Sequence, residues 1–464
     1  MWDIKCSPDE RARWNAFFTL DQMKGGAVTA RYKQVREAYR KGTSLADTKK
    51  RVAALITHAV GSTAFYKDYD PGAPLEKFPV VTKDTFRENY EAFQSVAYRG
   101  APDNRKMTTS GSTGTPFTMI QDVNKVTCNT ADSIFMGTLG HYYIGQKQAF
   151  IRVWVNNVKK SRMRLMMENS LMIDSSSLSH EALGTIARTI RTKKVRCLVG
   201  YASALGELSR YLDESGTDLS RFVVGSVIPI SENMPAGVRK RLSEQFQCPV
   251  RSWYSNEENG IMGVQDRDDS EAYYINSESY YYEILKMDSD EPAPDGEPGR
   301  IVITDLTNRA FPVIRYDNGD TAVARHEYYR QDGTRIAGSE PTDEAVTYKL
   351  YLTELYGRRS DLIYDTRGRA VTPYLITNNL WDVKGVRQFR FIQHDAGRYE
   401  LRLNGDPEKM AVTEMIGRIR PTLGNDAIIE VTFVDEIPVL ASGKRKYIEN
   451  LWEGRPGEGD RKEV

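Results

Sequence analysis

Hydrophobic positions recur along the chain in three successive patterns. The first ~60 residues follow a helical period, with apolar residues at Trp14, Phe17, Phe18 and Met23 and again at Val52, Leu55, Ile56 and Val60. Phe65-Tyr66 and Phe78-Pro79-Val80-Val81 read as short packed segments. Thr82-Lys83-Asp84 opens a polar helix that runs to about Tyr90. The second pattern alternates strand and helix. Strands are expected at 149–155, 195–200, 222–228 and 249–254, with helices at 181–190, 204–212 and 235–246. Repeated alternation of this kind predicts parallel α/β architecture with right-handed crossovers. From Gly299 the pattern becomes all-β: strands at 300–304 and 310–316, a turn at Asp317-Asn318-Gly319-Asp320, and a hairpin between Arg325 and about Leu355. Past Gly357 a small α+β unit is predicted. Its strands lie at 386–392, 399–403 and 428–434. A helix entered at Asp406-Pro407 carries the stripe Val412, Met415, Ile416, Ile419 and Leu423.

These patterns predict an α/β protein. A large N-terminal domain over 1–357 combines parallel-rich sheets, helices and a β-rich subdomain. A small C-terminal α+β domain follows over 358–452, and the charged, Gly-rich 453–464 reads as a disordered tail. Composition narrows the class. With 464 residues, 40% hydrophobic and 27% charged, the chain can bury a real core. A net charge of +1 argues against nucleic acid or an anionic membrane as partner. Cys6, Cys128, Cys197 and Cys248 are scattered without a C-x-x-C pair, and the five histidines do not cluster. Neither a zinc site nor a disulfide framework is expected. No apolar run approaches a membrane span, and no long apolar segment follows the N-terminus, so the expectation is a cytoplasmic protein.

The stretch with the most distinctive chemistry is Thr108-Thr109-Ser110-Gly111-Ser112-Thr113-Gly114-Thr115-Pro116. Glycines let backbone N–H groups approach an anion, and hydroxyls add donors, so such a loop can wrap phosphate oxygens. It is no Walker loop, because no Lys follows the last glycine. By composition alone a plain surface loop is the commoner reading. Further along stand Ser231-Glu232-Asn233 and Trp253-Tyr254-Ser255-Asn256-Glu257-Glu258, both where a predicted parallel strand ends and ligands bind. Then come Thr304-Asp305-Leu306, Arg315-Tyr316-Asp317-Asn318-Gly319-Asp320, Gly357-Arg358-Arg359-Ser360-Asp361 and the late Ser442-Gly443-Lys444.

In this order the motifs resemble the adenylate-forming ligase superfamily, over about residues 50–450. The branch most similar is that of the phenylacetate–CoA ligases and the related proteins of capsular-polysaccharide clusters. Ala64-Phe65-Tyr66 and Phe78–Lys83 resemble that group's opening segment. The resemblance implies an ATP-dependent ligase that joins a small carboxylic acid to AMP, releases pyrophosphate and passes the acyl group to CoA. Transfer to an amine or hydroxyl is the alternative, and a non-catalytic nucleotide-binding protein a third reading. It also implies roles. Thr109, Ser110, Gly111, Ser112, Thr113 and Gly114 would hold the outgoing phosphates, and Glu258 would bind Mg²⁺. Tyr254, Ser231 and Glu232 would border adenine, while Asp320 and Arg358 would grip the ribose. Lys444 would meet the α-phosphate and the carboxylate, and the small domain would swing about Ser360. Without the resemblance, each of these side chains reads as a turn, core or surface residue. Three positions depart from the family pattern. Ser255 stands where Gly is usual, Glu257 where Ser or Thr is usual, and Ser360 where the pivot carries Asp or Lys. Trp154, Tyr201 and Asn256 are candidates either for bordering the acid pocket or for core packing.

Overall fold

The computed structural model describes residues 6–108, 117–154, 161–268, 270–337, 346–371, 373–381, 383, 385–438, 440 and 445–454. The predicted phosphate loop Thr109–Gly114, Lys444 and nearly all of the predicted tail lie outside the described residues, as does the side chain of Ser360.

The opening helices Pro8–Met23, Ala27–Lys41 and Leu45–Ser62 follow the predicted periodicity. Ser7 and Glu10 cap the first in a reciprocal box, which satisfies two otherwise unpaired backbone donors. Thr82 and Thr85 do the same for the short helix Lys83–Glu88. The segment before that helix is strapped to the all-β region. Val81 donates to the Arg315 carbonyl at 2.9 Å, and Asp317 donates to the Val81 carbonyl at 2.9 Å. Beneath the strap an aromatic cluster joins Tyr66, Phe78, Phe86 and Phe93 to Phe117 and Phe311.

The strand–helix alternation forms a four-stranded parallel sheet in the order Ser170–Asp174, Gln148–Arg152, Cys197–Tyr201, Ser226–Ile230. The predicted strand at 249–254 does not extend it as a full member. Val250 makes only an isolated parallel bridge to Val227, and the chain then enters an antiparallel sheet as Trp253–Asn256. That nine-stranded sheet runs Tyr280–Leu285, Pro298–Asp305, Tyr316–Tyr329, Thr347–Arg358, Tyr273–Ile275, Gly260–Gln265, Trp253–Asn256. Thr43–Ser44 and Arg335–Ile336 pair off this path.

Two further expectations are corrected here. Residues 310–315 form no strand, and Asp317–Asp320 is no turn between strands. Those residues lie inside Tyr316–Tyr329 and bulge it. Arg300 pairs with Thr321 and Val302 with Asp317, so the strand carries extra residues opposite Ile301. The turn chemistry is still used locally: Gly319 has φ +84, and the side chains of Asp317 and Asn318 accept from the N–H groups of Gly319 and Asp320. A bulge re-aims side chains, and here it does so at the site.

The C-terminal region pairs Ile428–Phe433, Arg398–Gly405, Val386–Asp395 and Ile448–Asn450 in one mixed sheet, with the helices Pro373–Trp381 and Val412–Leu423. The second helix starts at Val412 rather than at Asp406, whose carboxylate is engaged with Lys409 and the N–H of Glu408 in a preceding turn. Its buried Met415, Ile419 and Leu423 belong to a core continuous with that of the parallel sheet. Among the described residues no helix is long and apolar enough to cross a membrane.

Candidate nucleotide-binding and adenylation site

Strand register brings Asp320 and Arg358 together, since they are direct cross-strand partners. Arg358 Nε lies 3.4 Å from Asp320 Oδ1, and an Arg358 terminal nitrogen donates to the Asn318 carbonyl. Tyr254 reaches the same carboxylate from the neighbouring end of the sheet, donating its hydroxyl to Asp320 Oδ2 at 2.9 Å. Asn318 Nδ2 donates to the Tyr254 hydroxyl at 2.7 Å and to Asp320 Oδ2 at 3.2 Å. Asp320 thus presents an oriented, partly solvated carboxylate. Its charge raises the Arg358 guanidinium further above its usual range, and Tyr316, Tyr254 and Glu258 add to the effect. Burial, then the Asp320 charge, pushes the Tyr254 phenol far up, so this hydroxyl stays a donor. Tyr254 is 7% exposed, so the ring expected to face adenine also packs in the core and positions Asp320.

Glu258 sits in the turn after Trp253–Asn256 and is buried. Its Oε1 lies 2.7 Å from Lys83 Nζ and accepts from the Tyr316 hydroxyl at 3.2 Å. Gln121, on the hairpin strand that leads from the phosphate-loop segment, donates to the Glu258 carbonyl at 3.4 Å. Below the turn, Lys125 is fully buried. It pairs with Asp305 at 2.6 Å and donates to the Asn259 carbonyl at 2.9 Å, fixing the backbone beside Glu258. Among the described residues no group of three metal-ligating side chains occurs.

Ser231 follows the last parallel strand with φ +68, an uncommon conformation for a serine and one that clusters at functional sites. Glu232 accepts the N–H of Ser203 at 2.8 Å through Oε2 and the N–H of Arg445 at 3.1 Å through Oε1. Arg445 directly follows Lys444, so this bond anchors the chain next to the candidate lysine at the carboxyl edge of the parallel sheet.

The structure therefore gathers Tyr254, Asp320 and Arg358 with Glu258, and ties Glu232 to the C-terminal segment. Sequence reading did not assign Lys83, Lys125, Tyr316 or Asn318. Lys83, Tyr316 and Asn318 stood within recognised motifs. Lys125 carried no signal beyond being one lysine on an otherwise mixed helix.

Residues 363–451 match the family model described as the CapK C-terminal domain. CapK of Staphylococcus aureus is 21% identical over 390 residues, 82% of this chain and 80% of its own length. The phenylacetate–coenzyme A ligase of Escherichia coli is 23% identical over 282 residues, 54% of this chain and 58% of its own length. A solved 2-hydroxyisobutyryl-CoA ligase in its postadenylation state, bound to an acyl-AMP, superposes with TM-score 0.67 at 16% identity, covering 88% of this chain and 90% of its own. The chain is thus similar in sequence to CapK and to phenylacetate–CoA ligases, and it shares the fold of a solved acyl-CoA ligase of the adenylate-forming superfamily.

Proposed function

We propose that the protein activates a small carboxylic acid with ATP and transfers the acyl group to CoA. The observation that carries this reading is the convergence of Tyr254, Asn318, Asp320 and Arg358 on one solvated carboxylate edge, with Glu258 coupled to it through Tyr316. Asp320 would accept both ribose hydroxyls, with Arg358 alongside. Ser231 and Glu232 would border adenine beside Tyr254, and the Thr109–Gly114 loop would wrap the leaving phosphates. Mg²⁺ held at Glu258 would neutralise phosphate charge, the main requirement of such a transfer.

In the first half-reaction a carboxylate oxygen attacks the α-phosphorus, the bond to the β-phosphate oxygen breaks, and pyrophosphate leaves. Lys444 would steady the charge on the α-phosphate and carboxylate oxygens. In the second, the CoA sulfur attacks the acyl carbon and AMP departs with the bonding pair. Residues 358–452 would swing about Ser360 between the two, as one small domain. Transfer to an amine or hydroxyl is the second reading, favoured by the uncharged Ser360 at the pivot. Pyrophosphate release over a panel of acids, with and without CoA, tests the proposal. Release that needs an acid, followed by CoA-dependent consumption of the adenylate, is expected. Consumption by an amine or sugar but not by CoA would select the second reading.

A further inference from the structure

The parallel sheet carries a cation that the nucleotide site does not use. Arg152 ends the strand Gln148–Arg152, and Tyr201 ends its neighbour Cys197–Tyr201. These two strands flank the point where the strand order turns. From Gln148–Arg152 the chain goes to Ser170–Asp174 on one side, then returns to Cys197–Tyr201 on the other. In open parallel sheets, the crevice at the carboxyl ends of such a pair is where ligands bind.

The guanidinium of Arg152 is held there by two rings and by a hydrogen bond to the Tyr201 side chain rather than by an opposing charge. Its carbon lies 5.1 Å from the Trp154 ring centroid and 6.0 Å from that of Tyr201. Trp154 is fixed as a platform by its indole N–H, which donates to the Ile173 carbonyl at 3.1 Å. Arg152 Nε is buried and has no hydrogen-bond partner. Among the described residues no carboxylate comes within 4.0 Å of the Arg152 nitrogens. The acids near Tyr201 are Glu232 and Glu257. Both oxygens of Glu232 are engaged by backbone N–H groups, and Glu257 is exposed. Aromatic stacking orients a guanidinium without neutralising it and leaves its planar fork for a bidentate anion. A half-buried cation without a counter-ion is costly unless a ligand supplies one.

We propose that Arg152 binds a second carboxylate of the acid substrate, so that the preferred acid is a dicarboxylate joined to AMP at its other end. This rests on the ligase reading above. The reacting carboxylate is the poorer occupant, because a guanidinium gripping both its oxygens would hold the lone pairs that must attack phosphorus.

The test uses matched acids: succinate with butanoate, adipate with hexanoate, and terephthalate with benzoate. Pyrophosphate release and calorimetric binding are measured for the wild type, Arg152→Leu and Arg152→Lys, and thermal unfolding checks that each variant folds. In at least one pair the wild type should favour the diacid by about 10²-fold in kcat/KM, the scale for a buried polar site losing its partner group. Arg152→Leu should bring that ratio near unity while sparing the monoacid, and Arg152→Lys should restore part of it. A monoacid preferred in every pair and unaffected by Arg152→Leu would overturn the proposal. Equal losses for diacid and monoacid would also overturn it, assigning Arg152 to the reacting carboxylate. Arg152-dependent diacid binding with no pyrophosphate from any acid would support the anion site and contradict the ligase reading. Absence of both binding and release would contradict the two together.

Discussion

Asp320 was legible in the sequence only as a turn residue or through its motif. The structure shows why the residue matters: Tyr254, Asn318 and Arg358 all converge on its carboxylate or on the bulge that carries it. Asp320→Ala should leave two ribose hydroxyls unpaired, at a cost of about 1–3 kcal/mol. We therefore expect the KM for ATP to rise about 10- to 100-fold, with a smaller change in the KM for the acid. An unchanged KM for ATP in a folded variant would reduce Asp320 to a structural residue. Lys83 stood in the opening segment, but nothing in the sequence revealed its partner, because Glu258 lies in a distant part of the chain. Lys83→Met leaves Glu258 largely buried beside one phenol. It should lower the melting temperature and slow pyrophosphate release, while Lys83→Arg should recover both. A Lys83→Met protein as stable and active as the wild type would contradict the coupling.

Element types were more legible than element partners. Apolar periods located the helices His180–Thr192, Ala202–Glu214 and Ala236–Phe246 and the strands Val386–Asp395, Arg398–Gly405 and Ile428–Phe433, because apolar faces there report burial, but the strands Ser170–Asp174 and Ile448–Asn450 and the helix Pro373–Trp381 were not expected. Sheet membership was another matter. The 249–254 run reads like its parallel predecessors, yet Trp253–Asn256 pairs antiparallel with Gly260–Gln265, a choice made by tertiary pairing that local pattern does not carry. In the same way the Asp-Asn-Gly-Asp run has the composition of a turn but lies in a bulged strand, where the pairing of Thr321 and Asp320 with Gly357 and Arg358 prevails. Lys125 shows how one helix, Val123–Leu139, supports this junction from below. Both it and Asp305 are fully buried. Lys125→Met alone should destabilise by about 3–5 kcal/mol, as expected when a buried charge loses its partner. Lys125→Met combined with Asp305→Leu should regain part of that loss. Urea unfolding of the two variants makes the comparison, and a double variant less stable than the single would count against the pair.

At the scale of the whole molecule, the account needs the C-terminal segment to sit at the edge of the parallel sheet during adenylation. Glu232 makes that link by accepting the Arg445 N–H, and Arg210 donates to the carbonyls of Val386 and Arg387 from the adjacent helix Ala202–Glu214. Glu232 was expected only to border adenine; its bond to the Arg445 N–H could not be read from patterns more than two hundred residues apart. Glu232→Gln keeps the shape but loses one of two charged acceptors, a change of about 1.5–3 kcal/mol. Pyrophosphate release should fall about 10-fold or more, whereas CoA should consume a preformed acyl-adenylate at close to the wild-type rate. Equal slowing of both half-reactions would argue for a general structural role.

The proposed adenylation depends on Lys444, which directly precedes Arg445 in the sequence. The most direct measurement is acid-dependent pyrophosphate release by the wild type and by Lys444→Ala, with melting temperatures compared to confirm folding. The account predicts release by the wild type with at least one acid, and a fall of about 10²-fold or more in the variant. Release at near wild-type rate from a folded Lys444→Ala protein would contradict it.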